Sequence, residues 1–256
     1  SSDLSIDIFL NLQFFWYFRC MKTSLSSGIK GLVHLIFPDL CMSCDQDTPV
    51  EDGIFCIKCL ASLPFTHHEY EPENSFTKHF KSRFPIVSGG ALFYLSRGSG
   101  IERMLHRLKY GNRPDIGYKL GMFYGGYLKE IERYSNLDAI IPVPLHLKKF
   151  VKRGYNQSEQ FAKGIGKAID VPVRTDLLKR IRFTQTQTKM SRSERIRNTS
   201  MAFGASEQLK EKAHRILLVD DVLTTGATFE GCIQAVLLQN SQTEIHLITI
   251  AMGHNL

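Results

Sequence analysis

Apolar residues recur at helical spacing in the segment that follows residue 100. Their positions at i, i+3, i+4 and i+7 predict an amphipathic helix over residues 101–108 with one buried face. That face consists of Ile101, Met104, Leu105 and Leu108. Residues 138–144, DAIIPVP, instead form a short apolar run that ends in two prolines, and this pattern predicts a buried strand.

Three segments near the carboxyl end predict a strand, a helix and a second strand in succession. Residues 215–219 (RILLV) and 244–251 (EIHLITIA) are apolar runs of strand length. Residues 229–239 between them follow a helical pattern, whose expected inward positions are Cys232, Ile233, Val236 and Leu237. Because a strand, a helix and a strand in close succession are typical of a parallel crossover unit, the sequence predicts an α/β fold with a mostly parallel sheet.

Two further helix starts are predicted from capping pairs. Asn156 precedes Glu159 by three residues, and an apolar face follows in the same segment. That face comprises Phe161, Ala162, Ile165, Ala168 and Ile169. Ser191 and Glu194 repeat the capping spacing, so a second helix is expected after residue 191.

Four of the six cysteines form two CxxC pairs separated by eleven residues. Four thiolates from two tight turns can fill all the positions around a tetrahedral Zn²⁺, which is typical of a structural site. The expected ligands are Cys41, Cys44, Cys56 and Cys59. Iron–sulfur ligation and two disulfides are the alternatives, and the clustering favours a reducing compartment. The nearby histidines are expected to be surface residues rather than ligands: His67, His68 and His79.

These patterns predict three regions along the chain. Residues 1–20 are an N-terminal extension, residues 21–88 a zinc-binding module with a linker, and residues 89–256 the α/β domain. The apolar stretch at 6–18 contains three polar residues and is shorter than the ~20 apolar residues that a membrane-spanning helix needs. No membrane insertion and no secretory signal peptide are therefore predicted.

Positive charge is concentrated in one part of the chain. The formal net charge is +7, yet residues 146–200 alone contain 14 Lys and Arg against four Asp and Glu. Such a block favours an anionic partner, which is either the phosphate of a small molecule or a nucleic-acid backbone. A solvated basic surface explains the same composition, so charge alone does not decide between these interpretations.

Residues 216–228, ILLVDDVLTTGAT, place two adjacent aspartates at the end of an apolar strand. Open α/β folds bind ligands at the carboxyl edge of the sheet, where Asp220 and Asp221 are expected to lie. Carboxylates there can accept hydrogen bonds from the hydroxyls of a ribose or hold Mg²⁺ through its waters. Small residues then leave backbone N–H groups free to bind a phosphate at a helix N-terminus. These residues are Thr224, Thr225, Gly226, Ala227 and Thr228, and the stretch as a whole predicts a site for a phosphorylated ribose.

The same thirteen residues resemble the PRPP-binding motif of type I phosphoribosyltransferases at every position. The lysine of a P-loop and the GxGxxG of a dinucleotide site are absent from the sequence. Together with the four-cysteine module, residues 152–166 (KRGYNQSEQFAKGIG) and 185–203 (QTQTKMSRSERIRNTSMAF) resemble the ComF family of competence-associated phosphoribosyltransferase-like proteins. The resemblance covers about residues 35–252 and implies a type I phosphoribosyltransferase-like core preceded by a zinc module. It also implies a cytoplasmic location and a link to the uptake of transforming DNA.

The resemblance further implies roles for individual residues. Asp220 and Asp221 would hold the ribose hydroxyls of PRPP or a related ligand, and the loop at 224–228 would hold its 5′-phosphate. Arg153 lies in the segment that would bind pyrophosphate. The segment that would close over the substrate contributes Lys189, Arg192 and Arg195. These cations and Mg²⁺ would stabilise the charge that develops when pyrophosphate leaves.

Two functions remain open from the sequence. One is a phosphoribosyltransferase whose acceptor is unknown; the other is a non-catalytic factor that binds single-stranded DNA, or other competence proteins, and retains a phosphoribosyl pocket. Aromatic residues interleaved with the basic block favour DNA stacking, although the helical position of Phe161 predicts a core residue. The others are Phe150, Tyr155 and Phe183. Lys109 and Tyr110 are explained equally well as pocket residues and as a helix end before a glycine turn.

Overall fold

The computed structural model describes residues 40–50, 53–181 and 202–254, which fall into two compact units. The first unit ends at Ser62 and the second begins at Leu63. In the first unit, the turns of the cysteine pairs lead into the short helix α1, Ile57–Ser62. Within the described ranges, no helix is both long enough and apolar enough to cross a membrane.

The second unit alternates helices and strands. Its helices are α2 (Ser75–Lys81), α3 (Gly100–Tyr110), α4 (Pro114–Lys129), α5 (Leu147–Arg153), α6 (Gln157–Ile169), α7 (Gln208–Lys212) and α8 (Ala227–Gln239), with a 3₁₀ turn at Glu132–Tyr134. Its strands are β1 (Ile86–Leu95), β2 (Ala139–Pro142), β3 (Leu178–Arg180), β4 (Phe203–Ala205), β5 (Arg215–Leu223) and β6 (Glu244–Gly253).

Four strands form one parallel sheet in the order β1-β6-β5-β2. The residues at 216–219 in β5 are fully buried, as expected for a central strand with both faces covered. Strands β3 and β4 form a separate antiparallel pair that flanks residues 182–201, which lie outside the described ranges. The observed sheet confirms the predicted α/β class and the parallel strand–helix–strand unit β5-α8-β6.

Several predicted elements are confirmed with small shifts of their ends. The four apolar positions predicted for α3 are all buried, and Asn156 caps α6 by accepting a hydrogen bond from the Ser158 backbone N–H at 3.2 Å. Strand β5 continues through both aspartates, because Asp220 still pairs in register with Thr249 of β6. The aspartates therefore lie in the last part of the strand rather than after it. The helix predicted after Ser191 lies outside the described residues.

Residues 63–88, which the sequence patterns group with the cysteine module, contribute to the core of the second unit. Phe76 and Phe80 of α2 are fully buried. Their rings lie 6.2 and 5.9 Å from the ring of Phe229 in α8. Helix α2 is thus packed beside the first turn of α8, which follows the aspartate-containing strand.

Helices α4 and α6 cross in backbone contact. A Cβ atom at Gly121 would lie 2.2 Å from the carbonyl oxygen of Phe161. One at Gly164 would lie 2.1 Å from the carbonyl oxygen of Tyr118. Only glycine permits this approach. The crossing fixes the position of α6, whose first turn carries Ser158, a hydrogen-bond donor to Asp220.

Candidate functional site

The four cysteines of the first unit form one compact cluster. The Sγ atoms of Cys41, Cys44, Cys56 and Cys59 lie within 4.8 Å of one another, and none of the four is in a disulfide. The Cys44–Cys56 separation is 3.9 Å. A tetrahedral zinc site with bonds of about 2.3 Å requires sulfur atoms about 3.8 Å apart, so the arrangement fits a metal ion.

Backbone groups of the turns support this cluster electrostatically. The amide of Cys59 donates to Cys56 Sγ at 3.4 Å. A hydrogen bond from the backbone of Asp47 lowers the pKa of the Cys44 thiol to about 7, which favours the thiolate form. Thiolates are the ligands that a metal ion needs.

The three histidines that follow the cysteine pairs in the sequence belong to the second unit and differ in burial. His68 is 4% exposed and its Nε2 lies 3.3 Å from the Tyr94 hydroxyl, so the prediction of a surface position is wrong for this residue. Burial lowers the pKa of His68 to about 4, which keeps the ring neutral. His67 is exposed. His79 contacts the loop after β5 through Nε2, which lies 3.3 Å from the Thr225 carbonyl oxygen.

Asp220 and Asp221 have different partners at the carboxyl end of β5. The Oδ1 atom of Asp220 accepts hydrogen bonds from the Ser158 hydroxyl and from the Asp221 amide, each at 2.8 Å. Asp221 Oδ2 lies 2.9 Å from Lys109 Nζ, which belongs to α3. The pair therefore joins β5 to α6 on one side and to α3 on the other.

The electrostatic environment of Asp220 is unfavourable to its charged form. Burial of the carboxyl group, together with the neighbouring Asp221 carboxylate, raises the pKa of Asp220 to about 7. The Ser158 hydrogen bond and the Lys109 ammonium oppose this effect but do not cancel it. Shifts of this kind cluster at functional sites, so the raised pKa marks Asp220 as a candidate functional residue.

Asp220→Asn is expected to stabilise the folded protein at pH 8 by about 1–3 kcal/mol, with the gain shrinking as the pH falls toward 5. The folded-state pKa lies above the ordinary value of 3.8. The native state therefore holds the extra proton between these values, and its stability falls as the pH rises through 7. Asparagine stays neutral and still accepts the Ser158 hydrogen bond. Urea unfolding at pH 5 and pH 8 measures the difference, and an equal gain at both pH values contradicts the prediction.

The loop predicted to bind phosphate connects β5 to α8. Thr224 and Thr225 are exposed, while Gly226 has φ = 80° and forms the N-terminal cap of α8. The positive φ requires glycine, and a Cβ atom there would also lie 2.7 Å from His79 Nε2, so that a larger residue would displace the His79 ring. The first amides of α8 have no partner within the helix, as at any helix N-terminus, and can bind an anion.

Helix α2 and the residues just after it contact this loop and the first turn of α8. His79 must donate from Nε2 to the Thr225 carbonyl, because a carbonyl oxygen only accepts. Arg83, just after α2, forms an ion pair with Glu230 in the first turn of α8. Together with the buried phenylalanines of α2, these contacts fix the direction in which the loop presents its amides.

Arg153 lies at the end of α5, beside a basic cavity. It donates to Gln157 Oε1 at 2.9 Å, and its guanidinium lies 5.1 Å from the centre of the Tyr110 ring. The cavity has a volume of about 380 Å³. Its lining consists of Lys109, Tyr110, Asn112, Lys152 and Arg153. Three cations with a fixed arginine suit a compact, multiply charged anion.

Comparison with known proteins identifies a phosphoribosyl transferase domain in this chain. The phosphoribosyl transferase domain model matches residues 156–255, which include both aspartates and the loop after β5. The chain is 27% identical to Competence protein F of Haemophilus influenzae over 222 residues, which are 84% of this chain and 88% of the relative. These similarities support the resemblance to the ComF family of phosphoribosyltransferase-like proteins.

Two further relatives extend this ComF-family likeness along the chain. DNA utilization protein YhgH of Escherichia coli strain K12 is 29% identical over 211 residues, which are 81% of this chain and 88% of the relative. YhgH of Shigella flexneri is 29% identical over 207 residues, which are 80% of this chain and 86% of the relative. The similarity is therefore not confined to the phosphoribosyltransferase-type segment.

The sequence patterns do not assign three residues that contact the candidate site. Ser158 follows the predicted cap Asn156, but its bond to Asp220 depends on how α6 packs beside β5. The sequence explains Lys109 equally well as a pocket residue and as a helix end, and its contact with Asp221 favours the pocket. Nothing in the sequence signals the role of His79. The predicted cations Lys189, Arg192 and Arg195 lie outside the described residues.

Cys232 and the aromatic residues near the basic block differ in burial. Cys232 is fully buried, and burial raises the pKa of its thiol well above the ordinary value, so the group is neutral. Phe161 is fully buried, as its helical position predicts, whereas Phe150 is 43% exposed. Tyr155 is buried and donates its hydroxyl to the Leu108 carbonyl. Phe183 lies outside the described ranges.

Proposed function

We propose that this protein binds PRPP or a closely related phosphoribosyl ligand at the carboxyl end of β5 and transfers the phosphoribosyl group to an acceptor. In the proposed complex, Asp220 and Asp221 accept hydrogen bonds from the ribose hydroxyls. The loop at 224–228 binds the 5′-phosphate. The observation that carries the proposal is the direct succession of an acidic pair, a left-handed Gly226 and a helix N-terminus on one strand–helix connection.

The chemistry of the proposed transfer requires electrostatic stabilisation rather than a nucleophilic side chain. As pyrophosphate leaves C1 of the ribose, positive charge develops on the sugar and negative charge on the leaving group. In the proposed complex, Arg153 and Lys152, which line the basic cavity, would stabilise the negative charge. Mg²⁺ bound with the diphosphate would supply further charge neutralisation, and the carboxylate and phosphate oxygens are the hard ligands that it prefers.

We also propose a role in the uptake or use of DNA. The support is the similarity to a competence protein and to DNA utilization proteins. A second candidate function, the binding of single-stranded DNA without catalysis, is favoured by one observation. Helix α5 has no buried residue and presents lysines at 148, 149 and 152 around the half-exposed ring of Phe150. Such a surface suits a nucleic-acid backbone and a stacked base.

For the first unit we propose a structural Zn²⁺ bound by Cys41, Cys44, Cys56 and Cys59. All four positions would be occupied by thiolates, so the ion would hold the two turns together and would not take part in the reaction. Within residues 40–50 and 53–62, the described part of this unit, the buried apolar residues are Cys41, Met42, Phe55 and Cys56, and so small a core is typical of modules stabilised by a metal.

One assay separates the two candidate functions. The full-length protein is incubated with PRPP, Mg²⁺ and a panel of nucleobases and amines, and pyrophosphate release is recorded. Release that requires an acceptor and disappears in Asp220→Asn/Asp221→Asn supports the transferase. No release with any acceptor, together with salt-dependent binding of single-stranded DNA that survives the double substitution, supports the binding protein.

A further inference from the structure

Lys109 is the residue that connects the acidic pair with the basic cavity. Its Nζ atom lies 2.9 Å from Asp221 Oδ2, and the same side chain lines the cavity beside Arg153. Helix α3 holds it there, because Leu108 and the other apolar positions of that helix are buried. Lys109 also lies outside the segment 156–255 that matches the phosphoribosyl transferase domain.

The ion pair between Lys109 and Asp221 is partly buried. The side chains of Lys109 and Asp221 are 24% and 15% exposed. Partial burial makes the attraction between the two charges stronger than in a surface ion pair. The Lys109 ammonium therefore stays hydrogen-bonded to the Asp221 carboxylate in the free protein. A carboxylate that accepts from lysine has fewer lone pairs for ribose hydroxyls, and a free pentose phosphate must compete with Lys109 for Asp221.

The cavity offers Lys109 a second partner when a diphosphate is present. Lys152 and Arg153 line the same cavity, and Arg153 is held in place by Gln157 and the Tyr110 ring. Lysine carries three donors on a flexible stem, so its ammonium can turn from a carboxylate to a nearby phosphate oxygen. Arginine at 153 lacks this freedom because its fork is already engaged.

We propose that Lys109 couples the two halves of the ligand site by moving its ammonium from Asp221 to a diphosphate bound in the cavity. In the free protein it neutralises Asp221 and lowers the repulsion between the two aspartates. In the complex it releases Asp221 to the ribose hydroxyls and binds the diphosphate. The site thereby favours a sugar that carries a diphosphate over a sugar phosphate without one. This inference rests on the proposed function and adds the residue that sets its ligand selectivity.

The test is calorimetric titration of the full-length protein and of Lys109→Met with ribose 5-phosphate and, separately, with inorganic pyrophosphate. Methionine keeps the apolar stem and removes the charge. Ribose 5-phosphate is expected to bind Lys109→Met roughly threefold or more tightly, because Asp221 is released from its ion pair. Pyrophosphate is expected to bind roughly tenfold more weakly, because one charge-assisted hydrogen bond is lost.

The matched control is Lys152→Met, which removes a cavity cation that has no contact with the aspartates. It is expected to weaken pyrophosphate binding and to leave ribose 5-phosphate binding unchanged. Lys109→Gln is measured as a second variant, in case Lys109→Met does not fold. Affinities that both fall, or that both stay unchanged, in the Lys109 variants would overturn the inference. Wild-type protein that binds neither compound would instead contradict the proposed function.

Discussion

Replacement of Cys56 by serine is expected to remove the metal ion from the first unit and to unfold that unit. Cys56 is buried and its sulfur lies 3.9 Å from that of Cys44, so its loss leaves three ligands and a gap in the tetrahedron. Metal binding at sites of this kind contributes about 10–16 kcal/mol, which is more than a module of this size gains from apolar burial. Metal content by mass spectrometry and limited proteolysis between residues 41 and 62 of the full chain measure the result.

The control for this prediction is Cys232→Ala. Cys232 is a buried core residue of α8 and lies outside the four-sulfur cluster, so this variant is expected to keep one zinc per chain. Retention of a full zinc equivalent by Cys56→Ser would contradict the assignment of the ligands. Iron in place of zinc in the wild-type protein would contradict the proposed zinc ion, and two disulfides would contradict the proposed metal site itself.

Substitution of alanine for Gly121 is expected to destabilise the second unit by roughly 3 kcal/mol or more, because overpacked backbone contacts cannot relax as side-chain contacts can. The added methyl group would lie 2.2 Å from the Phe161 carbonyl oxygen and 2.8 Å from the Gly164 Cα atom. Helix α6 would have to move away from α4, and Ser158 would move from Asp220. We therefore expect lower phosphoribosyl affinity as well as a lower midpoint in urea unfolding.

Gly126 in the same helix provides the matched control. A Cβ atom there would meet nothing within 4 Å, so the steric cost is absent. Alanine at 126 is expected to stabilise the protein by about 0.5–1 kcal/mol, because it favours the helix more than glycine does. If the two glycine-to-alanine changes have effects of the same sign, the close crossing of α4 and α6 does not determine stability.

The fold class was predictable from the sequence because its signals are local. Strand β5, helix α8 and strand β6 each carry a strong apolar pattern, and their short spacing restricts them to a parallel crossover. The buried face of α3 follows directly from its periodicity. By contrast, the backbone contact of α4 with α6 depends on glycines in both helices. Their spacing can be read from the sequence, but the residues of the other helix that each one contacts cannot.

Some residues of the candidate site were also predictable from local sequence, and others were not. Asp220, Asp221 and Gly226 lie on one continuous stretch, so a sequence pattern can reveal them together. Lys109 and His79 reach the same stretch from helices more than a hundred residues earlier in the chain. Their side chains are ordinary at the ends of amphipathic helices. Only the packing of α2 and α3 beside β5 and α8 gives them a role, and no local pattern encodes that packing.

The most direct test of the central claim is calorimetric titration of the full-length protein with PRPP and Mg²⁺, compared with Asp220→Asn/Asp221→Asn. We expect saturable binding by the wild type and a loss of roughly 100-fold in affinity for the double variant, since hydrogen bonds to charged groups contribute about 1.5–3 kcal/mol each. Asp138→Asn serves as the control, because that carboxylate accepts from the His214 and Arg215 amides at the opposite end of β5. PRPP binding that is equally tight in the double variant would contradict the claim that the ribose lies on the aspartates of β5.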